Sequence, residues 1–230
     1  MANYAVTRDR VEHYFDRTAT KTWERLTSDA PVSGVRATVR AGRDRMRALM
    51  LAQLPEDLRG ARILDAGCGT GAMAVELAQR GADVVAVDIS PALVGIAERR
   101  MPANLSGRIT WVAGDMLDAT DGMFDDVVAM DSMIYYTAPD IAAVLGKASS
   151  RVNGKFVFTL PPRTPALMAM WRVGKFFPRA DRSPTMIPQT TAGVAQALRD
   201  AGVKGRLSEV ERVKSGFYIS NALVFEGGAK

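Results

Sequence analysis

The sequence predicts an α/β fold in which a doubly wound, seven-stranded and mostly parallel sheet closes with an antiparallel hairpin. Short apolar runs alternate with helical segments from Ala61 to about residue 200, which is the pattern of parallel strands joined by crossover helices. A glycine-rich turn, residues 67–71, joins the first run to the first of these helices. The last two runs are separated by the short turn Lys214–Gly216, which predicts the hairpin.

Composition restricts the classes of protein to which the chain can belong. Its 230 residues are 47% hydrophobic and 24% charged, which suits one sizeable globular core or one core with an extension. The single cysteine, Cys68, excludes an internal disulfide, and no apolar run approaches the ~20 residues that span a bilayer. The first residues lack the apolar core of a signal peptide, so we expect a cytoplasmic protein. With one histidine, His13, no metal site is predicted.

Residues 1–56 are predicted to form a helical extension ahead of the sheet. Within 7–28 we expect two short helices, because Val11, Tyr14 and Phe15 recur at the spacing of one helical face. Such helices either cover a ligand cleft or pack against the sheet domain, and the two roles are compatible.

A long helix is predicted from Ser33 to Leu54, with an apolar stripe and a second stripe of arginines. These arginines are Arg36, Arg40, Arg43 and Arg47. Their spacings of four, three and four residues place four guanidinium groups along one side. The stripe is either a solvated charged face or an anchor for anionic lipid or substrate carboxylates. The formal net charge of +5 favours an anionic partner without choosing among nucleic acid, lipid and an acidic small molecule.

Residues 57–230 are predicted to form the sheet domain. Its strands are expected near 61–66, 83–88, 108–113, 124–130, 152–160, 204–213 and 217–226. Its helices are expected near 70–80, 91–100, 139–150 and 190–200. Ser90 and Pro91 mark the start of the second helix, because serine caps helices and proline fits their first turn. Ligands of such sheets bind beyond the carboxyl ends of the strands.

The turn after the first strand has the glycine spacing G-x-G-x-G, which differs from the G-x-G-x-x-G of dinucleotide-binding turns. Glycine is needed there because a side chain would keep a ligand away from the backbone, and a helix start offers unpaired N–H groups. Asp65, just before the turn, would repel a pyrophosphate but suits an amino group or a sulfonium. The alternative is a structural glycine turn in another α/β fold.

Acidic residues stand at the ends of successive predicted strands. Asp88 is placed to bind both hydroxyls of a ribose, and Asp115 is placed to face an adenine amino group. Together with Asp65, they predict a site for a cationic adenosine ligand. Asp131 follows the fourth strand, at the same edge of the predicted sheet. The predicted cofactor-binding residues are Asp65, Gly67, Cys68, Gly69, Asp88, Ile89, Asp115, Met116 and Asp131.

Residues 161–189 are predicted to form an insertion after the fifth strand. Six prolines interrupt it, and methionines and aromatic residues alternate there with five basic residues and one acid, Asp181. We predict a lid whose apolar face receives a large flat ligand and whose cations meet its acid groups. The alternative is a core helix with solvated basic residues.

Several segments resemble known families. The stretch Leu64–Gly71 resembles motif I of the class I S-adenosylmethionine (SAM) methyltransferases, and Phe124–Val128 is typical of their fourth strand. This resemblance implies that the reacting methyl lies near Asp131, just after that strand. Segments outside this motif resemble the magnesium-protoporphyrin IX methyltransferases: Tyr14–Asp16, Trp23–Leu26, Val39–Arg43, Pro161–Pro165, Phe176–Pro178 and Ser215–Ser220. Plant and cyanobacterial members of that family have tyrosine at the position of Thr27 and histidine at that of Tyr135. No catalytic role is therefore carried onto these two residues.

The resemblance implies a Rossmann-like class I methyltransferase fold and a defined reaction. The methyl of SAM passes to one propionate of magnesium protoporphyrin IX, giving the monomethyl ester and S-adenosylhomocysteine (SAH), in chlorophyll or bacteriochlorophyll synthesis. The propionate is ionised at neutral pH, so alignment suffices and no catalytic residue is predicted. Magnesium enters only as part of the substrate. The predicted substrate-lining residues are Tyr14, Tyr135, Tyr136, Arg163, Trp171 and Phe177.

The same resemblance implies partners, and alternatives stay open beside it. It implies hand-over of the porphyrin from the large subunit of magnesium chelatase and peripheral contact with the intracytoplasmic membrane. Arginines are expected to hold the propionate that does not react, because a tight salt bridge would weaken a nucleophile. The alternatives are a methyltransferase for another hydrophobic acceptor, a quinone or a lipid, and a non-catalytic tetrapyrrole carrier. No nucleic-acid partner is expected, because Asp131–Ile134 lacks a target-base motif.

Overall fold

Seven strands form one mixed sheet in the computed structural model, which describes residues 2–20, 24, 27, 34–116, 118, 121–165, 168 and 184–228. The strands are β1 (Arg62–Ala66), β2 (Asp83–Asp88), β3 (Arg108–Ala113), β4 (Asp126–Ala129), β5 (Lys155–Leu160), β6 (Gly205–Ser215) and β7 (Tyr218–Gly227). Their order is β3-β2-β1-β4-β5-β7-β6. Strands β1 to β5 are parallel, and β7 is antiparallel to β5 and β6. The predicted fold class is therefore confirmed.

Helices flank the sheet on both faces in the described part of the chain. They are α1 (Ala2–His13), a π-helical segment (Tyr14–Ala19), α2 (Gly34–Leu51), α3 (Ala72–Gln79), α4 (Pro91–Arg100), α5 (Ala138–Ser149) and α6 (Thr191–Asp200). Ser90 caps α4 by accepting the Leu93 amide, as predicted, and Thr137 forms a capping box with Asp140. Among these helices, none has both the length and the apolarity to cross a bilayer.

The core has two apolar layers, because successive strand residues point to opposite faces of the sheet. Ile63 packs in one layer with Met46 of α2 and Leu77 of α3. Leu64 lies in the other layer with Ile141 of α5 and with residues of α6. Helix α2 therefore contributes to the core of the sheet, and the proposed division of the chain at residue 56 stays a prediction.

Some elements begin or end away from their predicted bounds. Helix α1 starts at Ala2 instead of near residue 7, and α2 ends at Leu51. Of the second predicted short helix, residues 21–23, 25–26 and 28 lie outside the described residues. Strands β4 and β5 start later than predicted because Phe124 and Val152 form only one isolated bridge before the two strands pair regularly, from Val127 and Phe156.

Helix α2 lies close against β7 because Gly42 has no side chain. An added Cβ there would come within 2.8 Å of the Tyr218 ring. The next residue, Arg43, reaches Asp131 just after β4. This close approach brings the basic stripe of α2 to the carboxyl edge of the sheet, where ligands of such folds bind.

Candidate active site

The glycine-rich turn after β1 is built from left-handed backbone. Gly67, Gly69 and Gly71 have φ angles of 88°, 54° and 86°, which glycine adopts more readily than any residue with a side chain. The amides of Gly67 and Cys68 donate to the carbonyl of Val87 at 2.7 and 2.9 Å. The turn therefore lies across the ends of β1 and β2, at the edge where a ligand is expected.

Two buried carboxylates flank this turn. Asp88 accepts hydrogen bonds from the amides of Gly69 (2.7 Å) and Ser90 (2.9 Å), so its orientation is fixed. Asp65 is 1% exposed, and its Oδ2 has no hydrogen-bond partner in the described part of the protein. Burial raises the pKa of Asp65 to about 7, with a further contribution from the charge of Asp88, and burial raises the pKa of Asp88 to about 6. Because an unpartnered buried carboxylate oxygen is costly, this pair suits a cationic ligand.

The third predicted acid, Asp115, is contacted from α1. The Tyr4 hydroxyl donates to its Oδ1 at 2.9 Å, and Arg8 Nη1 donates to its Oδ2 at 3.4 Å. The Tyr4 ring stacks on Tyr136 with centroids 4.8 Å apart. Tyr4 and Arg8 are not among the predicted site residues. The available signal was their spacing with Val11, which repeats at four and three residues, as one face of a helix does.

The π-helical segment covers the neighbouring part of the same edge. Its Asp16 accepts hydrogen bonds from the Ser90 hydroxyl at 2.6 Å and from the Ala92 amide at 3.2 Å, at the start of α4. Its Phe15 meets Tyr135 edge-on, with ring centroids 6.3 Å apart. Helix α1 and this segment therefore both pack against the domain and cover the cleft.

Asp131 follows β4 in a left-handed conformation with φ of 56°, which no other non-glycine residue of the described chain has. Its Oδ2 accepts a hydrogen bond from Arg43 Nη1 at 2.5 Å. Its Oδ1 accepts one from the hydroxyl of Thr159 and one from that of Tyr218, each at 3.1 Å. Its amide donates to the Thr159 hydroxyl at 2.8 Å. These contacts stabilise Asp131 in a backbone conformation that costs about 1–2 kcal/mol for a residue with a side chain.

The predicted arginine stripe is divided between the cavity and solvent. Arg40, Arg43 and Arg47 line the same cavity as the acids, whereas Arg36 is exposed. Arg47 donates to both Glu76 and Asp44, so its charge is balanced within the protein. The stripe is therefore more than a solvated face, and its inner members belong to the site.

One cavity of about 370 Å³ joins these groups. All nine predicted cofactor-binding residues line it, and so do Tyr135 and Tyr136 of the predicted substrate-lining set. Tyr14 is half-buried against Phe15 and is not a lining residue, and Arg163 is exposed, with its amide bonded to the Gln189 carbonyl. Trp171 and Phe177 lie outside the described residues, as do 166–167 and 169–183 of the predicted lid.

The described lining residues include no histidine, because His13 is exposed at the end of α1. Burial raises the pKa of Tyr135 and Tyr136 above the usual tyrosine value, so neither is ionised at neutral pH. Thr27 lines the cavity and accepts a hydrogen bond from Arg100 at 3.1 Å. The described part of the chain contains no group of three or more histidine, cysteine or acidic side chains that could hold a metal.

Comparison with known proteins agrees with this geometry. Residues 129–226 match the family model for the C-terminus of magnesium-protoporphyrin IX methyltransferases, and residues 63–153 match a methyltransferase domain. The chain is 55% identical to the magnesium-protoporphyrin O-methyltransferase of Rhodobacter capsulatus, over 97% of this chain and 98% of that one. It is 29% identical to the chloroplastic magnesium protoporphyrin IX methyltransferase of Arabidopsis thaliana, over 93% and 69% of the two chains.

A solved structure gives the same result. The magnesium protoporphyrin IX methyltransferase of Synechocystis PCC 6803, crystallised with bound SAH, matches with a TM-score of 0.77 and 25% identity over 95% of this chain and 98% of that one. The fold and the site are those of a class I SAM-dependent methyltransferase. The 55% identity over nearly the whole chain then shows that the protein belongs to the magnesium-protoporphyrin O-methyltransferase family.

Proposed function

We propose that this enzyme transfers the methyl group of SAM to one propionate carboxylate of magnesium protoporphyrin IX in chlorophyll or bacteriochlorophyll synthesis. The observation that carries the proposal is the division of charge within one cavity. Its acidic part stands at the ends of β1 to β3, and its basic part comes from α2. A sulfonium nucleoside fits the first part, and an acid acceptor fits the second.

The acidic part fits the cofactor residue by residue. When bound, SAM supplies a methyl group on a positively charged sulfur. In this proposal Asp88 holds the ribose hydroxyls, because two backbone amides already fix its carboxylate. The unpartnered Oδ2 of Asp65 receives the ammonium group. Asp115 meets the adenine amino group while Tyr4 and Arg8 hold its carboxylate in place.

Binding of SAH is expected to weaken as the pH falls through 7. Burial raises the pKa of Asp65 to about 7 in the ligand-free protein, so the carboxyl is protonated below that pH. A ligand ammonium needs the ionised form, and binding must displace the proton. The Kd should therefore rise about 10-fold from pH 8 to pH 6, with proton release on binding. Titration calorimetry in buffers of different ionisation enthalpy measures both. An Asp65→Asn variant should bind weakly at every pH, and a wild-type Kd that stays constant from pH 6 to pH 8 would contradict the assignment.

The chemistry of the acceptor is consistent with a carboxylate. A propionate is ionised at neutral pH and needs no base, whereas a phenol must lose a proton as it reacts. The described lining residues offer no histidine for that task, and burial keeps Tyr135 and Tyr136 protonated. The residues of the site therefore act by aligning the carboxylate oxygen with the methyl carbon and by excluding water.

The remaining substrate contacts are part of the same proposal. Tyr135 and Tyr136 line the cavity after β4, beside the expected position of the methyl group, and so present aromatic surface to the macrocycle. In this proposal the proline-rich insertion 161–189 supplies the other contacts to the macrocycle, with Arg163, Trp171 and Phe177 among them. The composition of the segment supports this proposal, because it contains both aromatic residues, which suit a flat macrocycle, and basic residues, which suit its acid groups.

Incubation of the purified protein with methyl-labelled SAM and magnesium protoporphyrin IX tests the proposed reaction. We expect one labelled methyl group per porphyrin, in a product from which mild base releases the label as methanol. A parallel reaction with a catechol-type quinone precursor separates the other acceptor class, because its methyl ether resists base. Transfer to the catechol alone would overturn the proposal, as would absence of transfer by protein that binds SAH.

We also propose peripheral contact with the intracytoplasmic membrane through the turn between β6 and β7. Phe217 in this turn is 68% exposed, and Val35 at the start of α2 is 54% exposed. The two elements are joined there, because the Ser215 hydroxyl donates to the Thr38 carbonyl at 2.8 Å. Exposed apolar side chains beside exposed basic residues, Arg36 and Lys214, suit an anionic lipid surface.

Replacement of Phe217 by serine is expected to weaken binding to vesicles of anionic lipid by about 10-fold, because one partly inserted phenyl ring is lost. Co-sedimentation with vesicles measures the partition coefficient. A matched control is Met123→Ser, which removes an apolar side chain that is 43% exposed on another loop. Equal binding of both variants and the wild type would refute this surface.

Direct hand-over from the large subunit of magnesium chelatase is the last part of the proposal. Support for it is chemical, because a flat apolar macrocycle is better passed between proteins than released to water. Methylation of chelatase-bound substrate should continue when albumin is added to trap free porphyrin. Complete inhibition by albumin would show that the substrate travels free.

A further inference from the structure

We propose that Arg43 binds the propionate that is not methylated, and that Asp131 positions the Arg43 guanidinium for this purpose. This anchor consists of Arg43, Asp131, Thr159 and Tyr218. By fixing one propionate, it decides which of the two reaches the methyl group. The inference rests on the proposed function and names the part of the site that orients its substrate.

The geometry makes Arg43 a held but accessible cation. Its side chain is 20% exposed and that of Asp131 is 11% exposed, and both line the cavity. Gly42 allows α2 to approach Tyr218, and the Tyr218 hydroxyl then reaches the carboxylate that holds Arg43. A guanidinium carries five N–H donors, so Arg43 can serve Asp131 and a substrate carboxylate together.

The carboxylate that Arg43 contacts is held differently from those that contact its neighbour on the same helix, Arg47. Arg47 donates to two carboxylates, Glu76 and Asp44, and is neutralised within the protein. Asp131 instead shares its charge between Arg43 and two hydroxyl donors. Those hydroxyls hold the Asp131 carboxylate in one orientation, and it in turn fixes the Arg43 guanidinium at the wall of the cavity.

The location of the anchor ties it to the reacting groups. Ser132, next to Asp131, donates from its hydroxyl to the Ala66 carbonyl at 2.7 Å, so it lies directly against the cofactor turn. The left-handed conformation of Asp131 is the kind of strain that structures retain at functional sites. An arginine on the reacting propionate would lower its nucleophilicity. On the other propionate, the same arginine orients the macrocycle and leaves the reacting oxygen unpaired.

The anchor is tested by a double-mutant cycle in which one change is made in the enzyme and the other in the substrate. The substrates are magnesium protoporphyrin IX and an analogue that keeps the methylated propionate but has an ethyl group in place of the other. For wild type we expect the analogue to raise KM about 10- to 100-fold, the effect of one charge-assisted hydrogen-bonded contact, with kcat little changed. Arg43→Gln should raise KM for the natural substrate by the same factor and show no further loss with the analogue.

Three further measurements accompany this cycle. Fluorescence titration of the porphyrin in the presence of SAH should show the same loss of affinity without turnover. Arg43→Gln should yield both monoester isomers, whereas Arg43→Lys should restore part of the preference, and Tyr218→Phe should raise KM about threefold. Arg45→Gln is the matched control, because Arg45 lies on the same helix and pairs with Glu211 at the exposed surface.

The outcomes separate this inference from the proposed function. The anchor would be overturned if Arg43→Gln raised KM by the same factor for the natural substrate and for the analogue. It would also be overturned if that variant produced only the wild-type isomer, and in both cases the proposed reaction would stand. Failure of the wild-type enzyme to methylate the natural substrate would overturn the proposed function instead. If Arg43→Gln is unstable to heat, Arg43→Lys and Tyr218→Phe carry the comparison, and an unaltered isomer ratio and KM in both would refute the anchor.

Discussion

Asp88→Asn is expected to weaken SAH binding by about 100-fold or more. In the proposed complex the carboxylate accepts two hydrogen bonds from the ribose, each a charge-assisted contact of about 1.5–3 kcal/mol. The substitution removes the charge from both, and its amide offers one acceptor in place of two. The backbone amides of Gly69 and Ser90 donate to different oxygens of Asp88, so one of them keeps an acceptor in this variant, whereas Asp88→Ala leaves both without one. Titration calorimetry measures the loss.

Thermal unfolding of the ligand-free variant shows whether the loss of SAH affinity comes from the lost contacts or from a less stable fold. Burial raises the pKa of Asp88 to about 6, so at pH 8 the folded protein holds an ionised carboxylate at a cost that asparagine does not carry. The NH2 group of asparagine cannot accept the second backbone N–H, which offsets this gain, so ligand-free Asp88→Asn should unfold close to the melting temperature of wild type. Asp83→Asn is the matched control, since Asp83 starts the same strand and pairs with Arg108 at the surface. Equal SAH affinity in Asp88→Asn and wild type would refute the ribose assignment.

The acids of the site could be predicted from sequence because they follow from local patterns and one rule of topology. Each of Asp65, Asp88, Asp115 and Asp131 ends or follows an apolar run, and parallel strands of one sheet end at the same edge. The structure accordingly brings all four to one cavity. No side-chain contact had to be known for this inference.

The partners of these acids were not predictable in the same way. The contact of Arg43 with Asp131 depends on the close approach of α2 to β7 at Gly42 and Tyr218, which are far apart in sequence. The contact of Tyr4 with Asp115 depends on α1, whose residues have almost no apolar periodicity, so the sequence predicts a helix only from about residue 7. Long-range packing, rather than local propensity, decides both contacts.

Gly67→Ala is expected to destabilise the ligand-free protein by about 3 kcal/mol, the sum of left-handed strain and overpacking. Gly67 has φ of 88°, and an added Cβ would lie 2.2 Å from the Cβ of Ser132. For a chain of this size, the melting temperature should fall by about 10 °C. Gly69→Ala is the matched control, since Gly69 has φ of 54° and no atom within 4 Å of the added Cβ. It should lose only about 1 kcal/mol. Urea unfolding measures both.

The steric overlap between the Cβ added at residue 67 and the Cβ of Ser132 can also be removed by changing Ser132. In a Ser132→Gly background the atom that meets the new methyl group is absent, so the cost of Gly67→Ala should fall to about that of Gly69→Ala. The Ser132 hydroxyl bond to the Ala66 carbonyl is lost in both members of this comparison and cancels. If Gly67→Ala costs as much with glycine at 132 as with serine, its effect comes from backbone strain alone. The contact between the cofactor turn and the residue after Asp131 would then carry none of the cost.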